Sequence, residues 1–334
     1  MKKTLLVGEP IGMFVAKTTG ELDKVKEWEL SSAGAELNVG IGLRRLNHEV
    51  GYLTKLGKDP LGQFLVSRMN EDGITTELIS YHDSEFTAIQ LKQKVEEGDP
   101  KTFNYRNHTA ARTLEPKDVE NLDYSNYDWI HCTGVFAGLT DKTRETIKFI
   151  NEKAKEVNCV FSFDPNLRPY LWPSEQYMAD YMNYMASKSD YFFPGIGECK
   201  ICIGTDDPEL AAKKYLELGA KCVIIKLGSK GAYYNNGIES GYVDGFKVDK
   251  IVDTVGAGDG FAAGCISALK EGLPLKEAIR RGNAIGAIQL TCKGDNEGLP
   301  TREELEKFMN GDKNWRNNQW EHVKKLKKNC IWMV

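Results

Sequence analysis

The stretch Asp253-Thr254-Val255-Gly256-Ala257-Gly258-Asp259-Gly260-Phe261-Ala262-Ala263-Gly264 decides how this chain is read. Three small residues stand before an acid, and small helix-compatible residues follow at once. Backbone N–H groups in such a turn approach an anion closely, and the helix behind them aims its positive dipole end at it. Asp259 closes the cradle, where a carboxylate can take the proton of a hydroxyl. An anion cradle beside a base is what phosphoryl transfer to an alcohol requires. A bare Gly-Ala-Gly-Asp reads equally well as a Gly-rich turn ended by an acid. The rest of the chain has to decide.

Outward from that stretch, strand-like and helix-like patterns alternate. Leu5 to Gly8 reads as a buried strand, Asn38 to Leu46 as a helix, Val50 to Leu53 as a strand, and Gly62 to Gly73 as a helix ending on glycine. Further on come Trp129 to Cys132, a long amphipathic helix over Lys142 to Asn158, then Val160 to Phe163, Tyr191 to Phe193 and Cys222 to Ile225. Short apolar runs separated by helices predict a parallel sheet covered on both faces. Two segments break the rhythm. Residues 11–32 and 86–110 alternate like exposed strands, as in Thr87-Ala88-Ile89-Gln90-Leu91-Lys92 and Thr102-Phe103-Asn104-Tyr105-Arg106, and predict a small separate sheet.

Composition fits a globular enzyme: 334 residues, 41% hydrophobic, 28% charged and a formal net charge of −4. That balance argues against a nucleic-acid or anionic-membrane partner. No apolar run reaches the roughly 18 residues of a membrane span, and the first residues run straight into a strand, so a cytoplasmic address is expected. The eight cysteines sit mostly in apolar surroundings and read as reduced core thiols. Cys199-Lys200-Ile201-Cys202 has no second pair to complete a zinc site and is read the same way. After Gly311 the character shifts: residues 312–334 are rich in lysine and tryptophan and form an extension of unassigned role beyond a 1–310 domain.

The signature resembles that of the ribokinase-like, or PfkB, sugar kinases. Thr254 and Gly256 to Asp259 match it directly, while Cys265 departs mildly where a larger apolar residue is usual. Other landmarks follow in the family's order: Ala33 to Asn38, Asp164-Pro165-Asn166-Leu167-Arg168, and Lys226 to Gly231. The resemblance covers most of residues 1–310. It implies a three-layer α/β/α fold with a mostly parallel sheet and a small β-sheet lid, which often makes the dimer contact. It also implies ATP with Mg2+, and a monovalent cation such as K+.

Within that frame Asp259 is the general base, and Gly256, Ala257 and Gly258 offer N–H groups to the transferring phosphate. Lys226, Leu227, Gly228, Ser229, Lys230 and Gly231 follow a strand and are assigned to the nucleotide, as are Asn166, Arg168 and Asn283. Where relatives carry Asn-x-x-Glu near magnesium, this chain has Gly195 and keeps Glu198, a candidate for water-mediated metal contact.

For the acceptor, the resemblance within the family is to the 2-keto-3-deoxygluconate kinases. Gly34, Ala35, Glu36, Leu37 and Asn38 match the sugar-holding segment, Tyr105, Arg106 and Arg168 the positions near the ligand, and Asp295 a late acid that meets the substrate. An aldonic acid carries a carboxylate that an arginine fork grips through two hydrogen bonds, whereas a neutral ketose does not. Gln90 and Asn104 stand where some relatives carry aromatic residues; their amides still bond sugar hydroxyls. A kinase of a neutral sugar such as fructose or ribose is the alternative, and a sugar-binding regulator that kept the fold a more distant one.

Overall fold

The computed structural model describes residues 2–95, 100–312 and 314–315. Along the chain the strands are β1 (Lys3–Val7), β2 (Ile11–Thr19), β3 (Trp28–Ala33), β4 (Val50–Gly57), β5 (Ile79–His82), β6 (Ala88–Lys94) and β7 (Thr102–Tyr105). They continue as β8 (Tyr127–Thr133), β9 (Val160–Asp164), β10 (Tyr191–Phe192), β11 (Val223–Lys226), β12 (Ala232–Asn235) and β13 (Ser240–Val243). Helices α1 (Ala35–Arg45), α2 (Pro60–Glu71), the single turn α3 (Gly134–Ala137), α4 (Asp141–Glu156) and α5 (Glu175–Lys188) lie in the first part. Helices α6 (Ile196–Ile203), α7 (Pro208–Leu218), α8 (Ala257–Lys270), α9 (Leu275–Gln289) and α10 (Arg302–Met309) complete it.

Nine strands form the main sheet in the order β13-β12-β11-β10-β9-β8-β1-β4-β5. Every pairing from β11 to β5 is parallel, and β12 and β13 close one edge as an antiparallel hairpin. The hairpin escapes the sequence pattern because Ala232 to Val243 has neither a helix nor a long apolar run between its strands.

Alternation across the pleat divides the core. Leu5, Val7, Val223 and Ile225 pack with α3 to α7 on one face. Leu6, Tyr52, Trp129 and Ile224 pack with α1, α8 and α9 on the other. Each fully buried side chain of this size contributes about 1.5–3 kcal/mol relative to exposure. On the second face α8 and α9 touch backbone to backbone: a Cβ on Gly264 would lie 2.8 Å from the Cα of Gly282, so only small residues allow the approach.

The second sheet has the order β3-β2-β6-β7. Its outer pairs are antiparallel and β2 runs parallel to β6, since α1, β4, α2 and β5 of the main body intervene between β3 and β6. These strands occupy the two interrupting segments. Six of the described cysteines are buried free thiols, Cys199 and Cys202 among them. No helix among the described residues is long and apolar enough to cross a membrane. Trp315 packs edge-on against Phe308, their rings 4.9 Å apart; most of the basic extension over 312–334 lies outside the described residues.

Candidate active site

The signature folds as a turn that opens α8. Gly256 is the residue before the helix and has φ 79°, the left-handed region that favours glycine. A Cβ there would also meet the carbonyl oxygen of Asp295 at 2.0 Å, so the late loop lies directly on the turn. The first internal bond of the helix runs from the N–H of Gly260 to the carbonyl of Gly256 at 2.8 Å, leaving the earlier N–H groups at the open end.

Asp259 falls in the first turn of α8 and lines a cavity of about 560 Å³ between the lid sheet and the carboxyl ends of the parallel strands. Asn38 Nδ2 donates to its Oδ2 at 2.8 Å, and Asn166 Nδ2 donates to its Oδ1 at 3.3 Å. Burial pushes the Asp259 carboxyl up to about 7; nearby Asp164 adds to the rise, while Asn38, Lys226 and Arg168 oppose it. A carboxylate poised near neutrality suits proton acceptance from an alcohol.

The neighbouring polar groups hold this carboxylate in place. Asn296 Nδ2 donates to Asn38 Oδ1 at 3.0 Å, fixing the amide so that its own donor faces Asp259. Asn166 has φ 38°, uncommon for a residue with a side chain, and its N–H donates to Asp164 Oδ1 at 3.1 Å. Lys226 Nζ donates to Asp164 Oδ2 at 2.6 Å. Burial alone would lower the Lys226 ammonium, but Asp164, Glu198 and Asp259 outweigh it and hold the group charged on the cavity wall.

At the lid, period-two alternation selects what the cavity sees. Gln90, Asn104 and Arg106 line it, with Gln90 Nε2 donating to Asn104 Oδ1 at 2.8 Å. Tyr105 falls on the opposite face of β7 and is 61% exposed, so it stands away from the cavity although its neighbours enter it. Arg106 is 5% exposed; its Nε donates to Glu9 Oε2 at 2.5 Å, and its Nη2 is buried without a hydrogen-bond partner. Thr109 Oγ1 donates to the other Glu9 oxygen. Arg168 lines the same cavity, with Nη1 donating to the carbonyl of Leu167 at 2.8 Å.

Helical spacing sorts the 34–38 segment in the same manner. Gly34, Ala35 and Asn38 line the cavity, whereas Glu36 and Leu37 turn into the core. Glu36 accepts from Thr133 Oγ1 at 2.6 Å, and burial raises its carboxyl to about 7. Leu227 to Gly231 form the turn after β11, outside the cavity lining, and only Lys226 of that segment reaches in. Asn283 is buried and away from the cavity; its amide donates to the carbonyls of Val243 and Asp244 at 3.0 and 3.1 Å, tying down the end of β13.

Asp295 enters the cavity wall paired with Lys92, Nζ to Oδ1 at 2.9 Å. Lys92 and Glu9 are polar residues to which no motif gave a role. Glu9 follows the Leu5 to Gly8 strand run without matching a motif, Lys92 is legible only as the third inward position of β6, and Asn296 lies in the late loop of which the acid alone carried a role.

Glu198 also faces the cavity, but each oxygen already accepts a backbone N–H, from Leu167 at 2.8 Å and from Gly195 at 2.6 Å. The described residues include no group of three or more His, Cys, Asp or Glu that could hold a metal. The donor set fits a metal only if the ion keeps its water and arrives on the phosphates of a nucleotide, with Glu198 meeting that water.

A cradle of helix-terminal N–H groups, a buried carboxylate beside it and a sheet-covered cavity suit a small-molecule phosphotransferase. The chain matches the pfkB family carbohydrate kinase model over residues 1–302 and belongs to that family. It is 40% identical over 307 residues to 2-dehydro-3-deoxygluconokinase of Bacillus subtilis (strain 168), covering 92% of this chain and 95% of that one. Its fold superposes on the crystal structure of a PfkB protein from Polaromonas sp. JS666 with TM-score 0.85 and 37% identity, over 92% of this chain and 99% of that one. A second match is a putative ribokinase II from E. coli in complex with ATP and Mg2+, with TM-score 0.84 and 26% identity, over 93% and 100% of the two chains.

Proposed function

We propose that this carbohydrate kinase phosphorylates a sugar acid, 2-keto-3-deoxygluconate, at the expense of ATP. One observation carries the choice of acceptor. Arg106 and Arg168 both line the cavity that holds Asp259, with Arg106 anchored by Glu9. Two arginines on one acceptor cavity call for an anion, and a substrate carboxylate supplies it. Gln90, Asn104 and Asn38 offer amides to the sugar hydroxyls. The resemblance to the Bacillus 2-dehydro-3-deoxygluconokinase over nearly the whole chain supports the same substrate.

In the reaction the acceptor oxygen forms its bond to the γ-phosphorus as the bond from phosphorus to the bridging oxygen of ADP breaks. The hydroxyl proton passes to Asp259. N–H groups at Gly256, Ala257 and Gly258 and the Lys226 ammonium meet the charge on the transferring group. The turn at Leu227 to Gly231 and the loop held by Asn283 form the adjoining nucleotide surface in this reading. Mg2+ carried by the nucleotide would neutralise phosphate charge, with Glu198 on its water. A monovalent cation such as K+ belongs to the same reading. Exposed Leu30, Phe103 and Tyr105 on the lid strands support a homo-oligomer formed through that sheet. Reduced thiols and dependence on ATP support a cytoplasmic address.

A coupled assay measures kcat/KM for 2-keto-3-deoxygluconate, fructose and ribose with ATP. The sugar acid is expected to exceed both neutral sugars by about ten- to a hundredfold, the worth of one charged bidentate contact. Equal efficiency with fructose overturns the acid assignment and leaves a neutral-sugar kinase.

A further inference from the structure

We propose that Lys92 is a positioning residue that pins the lid to the phosphate cradle by bridging Asp253 and Asp295. Nothing in the signature or the lid motifs assigns it. Its Nζ lies 2.9 Å from Asp253 Oδ2 and 2.9 Å from Asp295 Oδ1, and the three side chains are 5%, 8% and 9% exposed.

The two carboxylates belong to different loops, and both loops touch the cradle. Asp253 begins the signature; its Oδ1 accepts the N–H of Val255 at 3.1 Å and its Oδ2 the N–H of Gly294 at 3.2 Å. Asp295 follows Gly294, and its carbonyl oxygen packs against the turn at Gly256. The ammonium at the end of β6 is therefore the point where lid, signature loop and late loop meet. Along β6, Lys92 shares the inward face with Gln90, which is bonded to Asn104 of β7. Movement of Lys92 thus moves the amides offered to the acceptor.

Charge makes the bridge more than packing. Burial pushes the Asp295 carboxyl up, Glu297 and Asp253 push it further, and Lys92 alone among these neighbours holds it down. Burial alone would lower the Lys92 ammonium, yet Asp295 and Asp253 keep it raised. Without the ammonium, two buried carboxylates face one another with no cation between them, an arrangement that drives the loops apart.

The turnover arm of the test rests on the sugar-acid reading; the exchange arm does not. In ligand-free enzyme, Lys92→Met is expected to speed hydrogen exchange at residues 88–94 and 253–256 together, with β1 and β4 unchanged. With ATP and 2-keto-3-deoxygluconate, kcat/KM for the sugar should fall about ten- to a hundredfold, as for a buried pair that loses one partner, while KM for ATP stays within about twofold. Adding Asp253→Asn to Lys92→Met removes the surplus charge and should recover part of the loss. Unchanged exchange in both segments, or a loss that the double variant deepens additively, overturns the proposal. If the wild type ignores the sugar acid while exchange responds as stated, the acceptor reading falls and the role of Lys92 stands. Should Lys92→Met fail to fold, Lys92→Gln replaces it with the same expected outcomes.

Discussion

The two walls of the cavity are built on opposite principles. The cradle wall is local: Gly256 to Asp259 are consecutive, and they present backbone N–H groups and one carboxylate at a helix start. The lid wall is composite. Arg106 is fixed by Glu9, 97 positions away, and Lys92 by Asp253 and Asp295, 161 and 203 positions away. In the proposed function the chemistry falls to the wall that tolerates little change and the choice of acceptor to the wall assembled from side chains. Backbone donors serve any phosphoryl group, whereas side chains on a separate sheet are exchanged without disturbing the turn.

The largest effect is expected on the cradle wall. Asp259→Asn keeps shape and removes the proton acceptor, so turnover should fall by roughly 10² to 10⁴ in a folded protein. In the wild type, activity should fall below a midpoint near pH 7, where Asp259 takes up its proton. The same group works against stability. Its folded carboxyl is raised to about 7 from 3.8, so the folded state binds the proton more tightly and stability falls as pH rises between those values. Asp259→Asn should therefore raise Tm relative to wild type at pH 8, with the gain shrinking towards pH 4. Near-normal turnover in the variant, or a Tm difference independent of pH, removes Asp259 from the base position.

A smaller but sharper effect belongs to the lid wall. Arg106→Lys keeps a cation for Glu9 and loses the planar fork. kcat/KM for 2-keto-3-deoxygluconate should drop about ten- to a hundredfold, the value of one bidentate charged contact, while activity on a neutral sugar changes little. Equal losses for both substrates would show that Arg106 serves the fold and not the carboxylate.

The smallest signal tests whether the walls move independently. Adding the sugar acid alone should slow exchange at residues 86–95 and 100–110, whereas ATP alone should protect 226–231 and 256–259. Normal turnover with no protection of the lid strands would make them a fixed wall, and the comparison would rest on composition alone.

Much of this molecule is legible without coordinates. Leu5 with Val7, and Val223 with Ile225, alternate against Leu6 and Ile224 in a way that only a sheet buried on both faces explains. The Gly-Ala-Gly-Asp turn announces its own conformation, because its function lies in neighbouring backbone groups whose geometry is set by short-range sterics. The sequence therefore determined the α/β alternation, the two segments of the small sheet and the turn that carries Asp259. It did not determine which residues of a motif face the ligand: Glu36 and Leu37 turn inward while Asn38 turns to the cavity, and Tyr105 turns out while Asn104 and Arg106 turn in. Nor did it join Lys92 to Asp253 and Asp295, or Asn296 to Asn38. Those pairings depend on how two sheets and three distant loops pack. Charge complementarity across such separations leaves no periodic trace in the chain; only the tertiary fold brings the partners within hydrogen-bond range.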